Sequence, residues 1–295
     1  MLILVILLSI IVLISLYNFT GIGYSESDDY TVIKESEFLK GGEPFEYVNS
    51  NSKAILFIHG FPGSPKMYYL VKELAIADGY DVFCPTLPGF ATNHENMIIS
   101  NFSMWFKYLK DYYKSKRSNY ERFYIVGNSL GGALTLKLAE EFSNTSIAPT
   151  GIATVAAPVF IDKLASKFTR VISLFTSYIP PKRLEVDKSK DQDGETEWVG
   201  YRGLFPKQIY SLLQGFKGVK KDLDKITVPC YFCHAREDKT VSFKNLGYIT
   251  DHVSSNNVLV RILRMNGWRH TNHSLFIYKS YYKQVWQDIN FFFSS

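Results

Sequence analysis

The chain has 295 residues, of which 33 are basic and 28 are acidic, and its formal net charge is +5. This length fits one α/β domain or two small domains, and a hydrophobic fraction of 46% indicates a large core. The mild charge excess contains no basic stripe, which argues against nucleic-acid binding. Three cysteines are too few for a disulfide framework.

The N-terminal segment is the most apolar part of the chain. Residues 2–16 are apolar except for Ser9 and Ser15, and the first charged side chain is Glu26. Because this run is close to the lower length limit for crossing a bilayer, we expect residues 1–22 to form a membrane anchor, with a cleaved signal peptide as the alternative. The acidic residues after the run would place the main domain outside the cytoplasm.

Residues 23–40 have the composition of a polar linker and include a candidate edge strand at 30–33. From residue 41 onward, apolar runs alternate with helical patterns. The predicted strands are 45–47, 54–59, 80–84, 123–126, 151–156, 228–234 and 258–265. The predicted helices are 68–78, 103–116, 132–142, 207–223 and 278–293. This alternation is typical of a mostly parallel central sheet with helices on both faces, so we expect one α/β domain over residues 41–295.

The segment 160–201 interrupts the alternation. Apolar residues in its first part, 160–175, have helical spacing, and Pro180 and Pro181 would end that helix. A charged stretch follows at 182–197. An insertion here would lie over the carboxyl ends of the strands, where ligands bind in open α/β sheets. We therefore expect a small cap whose apolar residues line a ligand pocket, the alternative being a helix that only stabilises the body.

A nucleophile motif, Gly127-Asn128-Ser129-Leu130-Gly131, joins a predicted strand to a predicted helix. Such a turn exposes the Ser129 hydroxyl, and it requires glycines because side chains at Gly127 and Gly131 would collide with neighbouring backbone. The start of the helix places backbone N–H groups beside the serine. We predict Ser129 as the nucleophile and the Leu130 N–H as an oxyanion donor.

The acid and the base that a nucleophilic serine needs have candidates after later strands. Asp238 follows the strand 228–234 and would orient an imidazole, with its neighbour Glu237 as the alternative. His273, or alternatively His270, lies after the last strand and would act as the base. The order Ser, Asp, His is the order that a nucleophile-elbow fold requires.

The segment 59–64 is the candidate for the rest of the oxyanion hole. Its donor would be the Phe61 backbone N–H, because Pro62 has none. We interpret His59 as a structural residue that hydrogen-bonds this loop. Phe61, Met67 and Leu130 also fit an acyl pocket.

Two cysteines have a spacing that is also found in metal-binding and redox sites. Cys230 and Cys233 are three residues apart on a predicted strand, so their side chains point to opposite faces of the sheet. We expect both to be core residues, and we expect neither a metal nor a cofactor.

On these motifs the chain resembles the α/β-hydrolase family, and within it the bacterial carboxylesterases and monoacylglycerol lipases. The residues that carry the resemblance are the segments 59–64, 127–132, 235–241 and 273–275, with Ala157 and Pro158. The resemblance implies an α/β-hydrolase fold with a small cap and a serine hydrolase acting on short- or medium-chain carboxylic esters or monoacylglycerols. Alternatives on the same scaffold are an acyltransferase, a thioesterase, or a non-catalytic binding protein displayed on a membrane.

Overall fold

The computed structural model describes residues 2–21, 23–163, 166, 168–181, 198–265 and 271–295. Its strands are β1 (Phe45–Tyr47), β2 (Lys53–Ile58), β3 (Asp81–Cys84), β4 (Arg122–Asn128), β5 (Gly151–Val155), β6 (Cys230–Ala235) and β7 (Val258–Leu263). They form one sheet in the order β1-β3-β2-β4-β5-β6-β7. Strand β1 pairs antiparallel with β3, and the other neighbouring pairs are parallel. The prediction of a mostly parallel sheet is confirmed.

The helices are α1 (Leu2–Thr20), α2 (Tyr69–Ala77), α3 (His94–Ile99), α4 (Phe102–Arg117), α5 (Leu130–Phe142), α6 (Thr169–Ile172), α7 (Pro206–Asp222), α8 (Lys244–His252) and α9 (Tyr282–Ser294). Two hydrophobic cores lie on opposite faces of the sheet. One contains residues of α4, α5, α7 and α8, and the other contains residues of α2 and α9. Helices therefore cover both faces, as predicted.

Strand β6 shows how the sheet separates the two cores. Cys230 belongs to the first core and Cys233 to the second, and both thiols are free and buried. Because positions three apart on a strand face opposite ways, the two sulfurs do not form a pair. The interpretation of these cysteines as small core residues is confirmed.

The N-terminal helix does not have the predicted role. Within the described part of the chain, no helix combines the length and the apolar character needed to cross a membrane. The predicted membrane anchor, and the membrane location with an extracytoplasmic catalytic domain that followed from it, are wrong. The polar end of α1 is used in tertiary contacts instead: Asn18 is buried, and its Oδ1 accepts a hydrogen bond from the Val171 N–H at 3.2 Å.

Two local predictions also need correction. Residues Tyr30–Val32 form a short 3-10 helix rather than an edge strand, because the Asp29 carboxylate accepts the Thr31 N–H at 3.0 Å and stabilises a turn. In the segment 160–175, the described α-helix is only Thr169–Ile172. The charged stretch 182–197 lies outside the described residues.

Candidate active site

Ser129 occupies the sharp turn between β4 and α5. Its backbone has φ 56° and ψ −121°, a region that L-residues rarely adopt. A Cβ at Gly127 would lie 2.1 Å from the Gly131 carbonyl oxygen, and a Cβ at Gly131 would lie 1.8 Å from the Ile58 carbonyl oxygen. Only glycine therefore fits at these two positions, which confirms the steric argument made from the sequence.

The predicted acid and base lie in contact. Asp238 follows β6, His273 follows β7, and the His273 Nδ1 is 2.7 Å from the Asp238 Oδ2. The Asp238 side chain is fully buried and that of His273 is nearly so. Since Nδ1 faces the carboxylate, a neutral His273 has Nε2 available to accept a proton.

Both oxygens of Asp238 are held by donors. Oδ1 accepts the backbone N–H groups of Thr240 at 2.7 Å and Val241 at 2.9 Å. Oδ2 faces a second imidazole, with the His234 Nε2 at 3.2 Å. Burial alone would raise the pKa of Asp238, but hydrogen bonds from His234 and His273 outweigh it and hold the pKa well below its ordinary value.

The alternative acid was Glu237 and the alternative base was His270. Glu237 points elsewhere, because its Oε2 accepts the Met265 backbone N–H at 2.9 Å. His270 lies outside the described residues. The loop that carries His273 is tied to the Asp238 loop by hydrogen bonds from the Lys239 N–H to the Thr271 carbonyl and from the Asn272 side-chain amide to the Glu237 carbonyl.

The candidate oxyanion donors lie on two sides of Ser129. Leu130 is the first residue of α5, and the first N–H groups of a helix have no partner within it. The loop after β2 lies against the serine, because a Cβ at Gly60 would be 3.2 Å from the Ser129 Cβ. Phe61 follows in this loop and lines both cavities at Ser129.

His59 has the structural role expected of it. Its Nε2 accepts the Leu87 N–H at 3.1 Å, and its Nδ1 lies 3.1 Å from the Gly60 carbonyl oxygen. This pattern fits a neutral ring that carries its proton on Nδ1. Burial lowers the pKa of His59 to about 4, so the ring stays uncharged near neutral pH.

Ser129 lies where two cavities of different character meet. The smaller cavity, about 30 Å³, is lined in part by His273, Ser64, Met67 and Trp198. The larger, about 390 Å³, is mostly apolar, and its walls include Ile172 of α6 and Leu212 and Phe216 of α7. Met67 therefore lines the smaller cavity and not, as predicted, the apolar pocket with Phe61 and Leu130.

Sequence reasoning missed two contributors to this site, His234 and Trp198. His234 precedes Asp238 by four residues at a strand end, a spacing that could have drawn attention to it. Trp198 had no local signal, because it lines the cavity together with residues that are distant in sequence, such as Ser64 and His273. Within the described residues, no group of three His, Cys, Asp or Glu side chains is placed to hold a metal ion.

The mostly parallel sheet, the strained serine turn and the helices on both faces define a hydrolase of the α/β-hydrolase fold. Residues 49–274 match the family profile described as serine aminopeptidase S33, and the chain belongs to this family.

Two relatives of the chain are a lipase and an esterase. The chain is 28% identical over 217 residues to the thermostable monoacylglycerol lipase of Bacillus sp. (strain H-257), a match that covers 74% of this chain and 82% of that protein. It is 25% identical over 214 residues to a carboxylesterase of Bacillus subtilis (strain 168), covering 72% and 82% of the two chains.

Solved structures show the same fold. A metagenome-derived lipolytic enzyme superposes with a TM-score of 0.75 at 21% identity, covering 88% of this chain and 99% of the other. A soluble variant of monoglyceride lipase from Saccharomyces cerevisiae, in complex with a substrate analogue, gives a TM-score of 0.65 at 16% identity, covering 92% and 97%.

Proposed function

We propose that this hydrolase cleaves carboxylic esters of short- to medium-chain acyl groups, including monoacylglycerols, through an acyl-enzyme on Ser129. The observation that carries the proposal is the position of Ser129 between a small cavity that holds His273 and a larger apolar cavity. The pairing of His273 with the buried Asp238 supplies the base that the serine requires.

In this mechanism the Ser129 Oγ attacks the ester carbonyl carbon while His273 Nε2 takes the hydroxyl proton. Asp238 stabilises the imidazolium, and the N–H groups of Phe61 and Leu130 hold the oxyanion, each worth about 3 kcal/mol of barrier. The C–O bond to the alcohol breaks as His273 returns its proton to the leaving oxygen. Water then attacks the carbonyl carbon of the acyl-enzyme while His273 takes a proton from it. The bond to the Ser129 Oγ breaks as His273 returns the proton to that oxygen, and the carboxylic acid is released.

The cavities support an ester with an apolar acyl group. The volume of the larger cavity, about 390 Å³, is within the range of small-molecule sites. The lining of the larger cavity is mostly apolar, which suits an acyl chain better than a charged group.

Labelling with a fluorophosphonate probe tests the nucleophile. The wild-type protein should be labelled and should hydrolyse p-nitrophenyl esters, and Ser129→Ala should lose both properties. The matched control is Ser143→Ala, at the opposite end of α5, which should keep both. Labelling that persists in Ser129→Ala would refute the proposal.

The acyl preference is measured separately with p-nitrophenyl esters from acetate to palmitate and with monoacylglycerols. We expect kcat/KM to peak at short or medium chains and monoacylglycerols to be turned over. If the protein hydrolyses no ester of either series but the fluorophosphonate still labels Ser129, the proposed substrate class is wrong. The assignment of Ser129 as the nucleophile would stand in that case.

A further inference from the structure

A second imidazole lies on the carboxylate of Asp238. The His234 Nε2 is 3.2 Å from the Asp238 Oδ2 and 3.3 Å from the Val241 carbonyl oxygen. Both neighbours are acceptors, so Nε2 must carry a proton to bond with either of them. His234 is itself buried, with 1% of its side chain exposed, which keeps competing water away from this contact.

The contacts of Asp238 show what this imidazole does. Two backbone N–H groups bind Oδ1 and restrain the rotation of the carboxylate about its Cβ–Cγ bond from that side. The His234 imidazole adds a donor on the other oxygen, Oδ2, and restrains the same rotation from the side that faces His273. Oδ2 is also the atom that faces the His273 Nδ1 at 2.7 Å, so the orientation of the carboxylate decides whether His273 is paired.

We infer that His234 is a positioning residue, which donates from Nε2 to Asp238 and thereby keeps Oδ2 in line with the His273 Nδ1. The inference rests on the proposed function, because it assumes that Asp238 and His273 act on Ser129. His234 is not among the described residues lining either cavity, so it acts through Asp238 and not on the substrate.

Three variants separate positioning from packing. His234→Leu removes the donor, His234→Gln keeps an N–H near the place of Nε2, and Phe243→Leu changes the ring that packs edge-on against His234 at 5.8 Å. We expect His234→Leu to lower kcat about 10- to 100-fold with KM unchanged, because the variant loses one hydrogen bond to a buried charge. His234→Gln should recover most of that loss, and Phe243→Leu should keep kcat whatever its effect on stability.

The glutamine variant provides a readout that a purely structural role would not give, because glutamine restores the donor without restoring the aromatic ring. If His234 only filled space, His234→Gln would be no better than His234→Leu. A glutamine variant no better than the leucine variant would therefore overturn the inference, as would a loss in His234→Leu that falls on KM and not on kcat.

A double-mutant cycle with Asp238→Ala tests whether His234 acts through Asp238. The double variant should have the same kcat as Asp238→Ala alone, and fully additive losses would contradict the inference. If Asp238→Ala has wild-type activity, the proposed function fails; if it is inactive while His234→Leu is fully active, only the role of His234 fails. Should His234→Leu not fold, His234→Asn, whose amide is too short to reach Asp238, replaces it with the same expected result.

Discussion

Burial and hydrogen bonding give different charges to neighbouring side chains around Ser129. His59 is buried among groups that fix a neutral ring, and its pKa falls to about 4. Asp238 is also buried, yet two imidazoles and two backbone N–H groups keep it ionised. His59 therefore stays neutral and bonds the backbone around it, whereas Asp238 stays ionised beside His273, although both residues follow strands of the same sheet.

The choice of base can be tested by substitution at the residue scale. We expect His273→Ala to lower kcat for p-nitrophenyl butyrate by at least about 1,000-fold, because the serine then lacks a proton acceptor. His270→Ala, the matched control, should retain turnover within a few-fold. Steady-state kinetics of both variants will show which histidine is the base. If only His270→Ala inactivates the protein, the base is His270 and not His273.

Glu140 is a buried carboxyl far from this chemistry. Its Oε2 pairs with the Lys137 Nζ at 2.9 Å, and its buried Oε1 has no hydrogen-bond partner among the described residues. Burial, only partly offset by Lys137, raises the pKa of Glu140 from its ordinary 4.5 to about 7. Between these values the folded protein binds more protons than the unfolded chain, so this group makes stability fall as the pH rises.

We therefore expect Glu140→Gln to stabilise the protein at pH 8 by about 1–3 kcal/mol and to have little effect at pH 4.5. Urea unfolding at the two pH values measures the difference. Glu141→Gln is the matched control: Glu141 is the next residue, more exposed and paired with Lys110, and its change should stay within about 0.5 kcal/mol at both pH values. Equal effects of Glu140→Gln at both pH values would contradict the expectation.

Among the elements, the seven strands and most of the longer helices were predicted to within a few residues, whereas the helices α3 and α8 were missed. Helix α3 is only six residues long and owes its start to the Asn93 side chain, which accepts the Asn96 N–H at 2.8 Å. Helix α8 has nine residues and also escaped prediction. Such helices are stabilised by tertiary packing more than by their own periodicity, so the sequence carries little signal for them.

Helix α7 contains two glycines in contrasting surroundings. A Cβ at Gly215 would lie 2.3 Å from the Phe102 ring of α4, whereas a Cβ at Gly218 would meet nothing within 4 Å. Gly215→Ala should destabilise the protein by about 1–3 kcal/mol, and Gly218→Ala should stabilise it by about 0.5–1 kcal/mol because alanine favours the helix. Thermal or urea unfolding compares the pair, and equal effects of the same sign would refute this description of the α4–α7 contact.

At the scale of the whole molecule, the N-terminal helix α1 packs against α6, which forms part of the wall of the apolar cavity. Arg170 of α6 donates a hydrogen bond to the Tyr17 carbonyl of α1, and its guanidinium lies 3.9 Å from the centre of the Tyr17 ring. The rings of Phe19 and Phe168 meet edge to face at 5.6 Å. Since Thr169 and Ile172 of α6 line the larger cavity, contacts with α1 support one wall of it.

A truncated variant without residues 1–20 should distinguish long from short substrates. We expect KM for p-nitrophenyl octanoate to rise about fivefold, which corresponds to a loss of about 1 kcal/mol of binding free energy. The reason is that α6, which lines the larger cavity, loses its contacts with α1. Turnover of p-nitrophenyl acetate should stay close to that of the full chain. Arg170→Ala should reproduce the shift in weaker form, and an equal change for both esters would contradict a role of α1 in the acyl cavity.

Local chemistry in the sequence was enough to predict the serine turn and the order of the candidate residues. Gly127, Ser129 and Gly131 lie within five positions, so their steric requirement can be read without knowing the fold. The alternation of strands and helices likewise determined the parallel sheet, because hydrophobic periodicity is a property of neighbouring residues.

Only the tertiary structure showed which side chains from distant segments contact each other. It placed Asp238, and not Glu237, against His273, put a second imidazole on the Asp238 carboxylate, and packed the end of α1 against α6. Each of these outcomes depends on burial and on contacts between segments distant in sequence. The residues of a single segment do not encode such contacts, so the orientation of the carboxylate and the position of α1 could be known only from the folded chain.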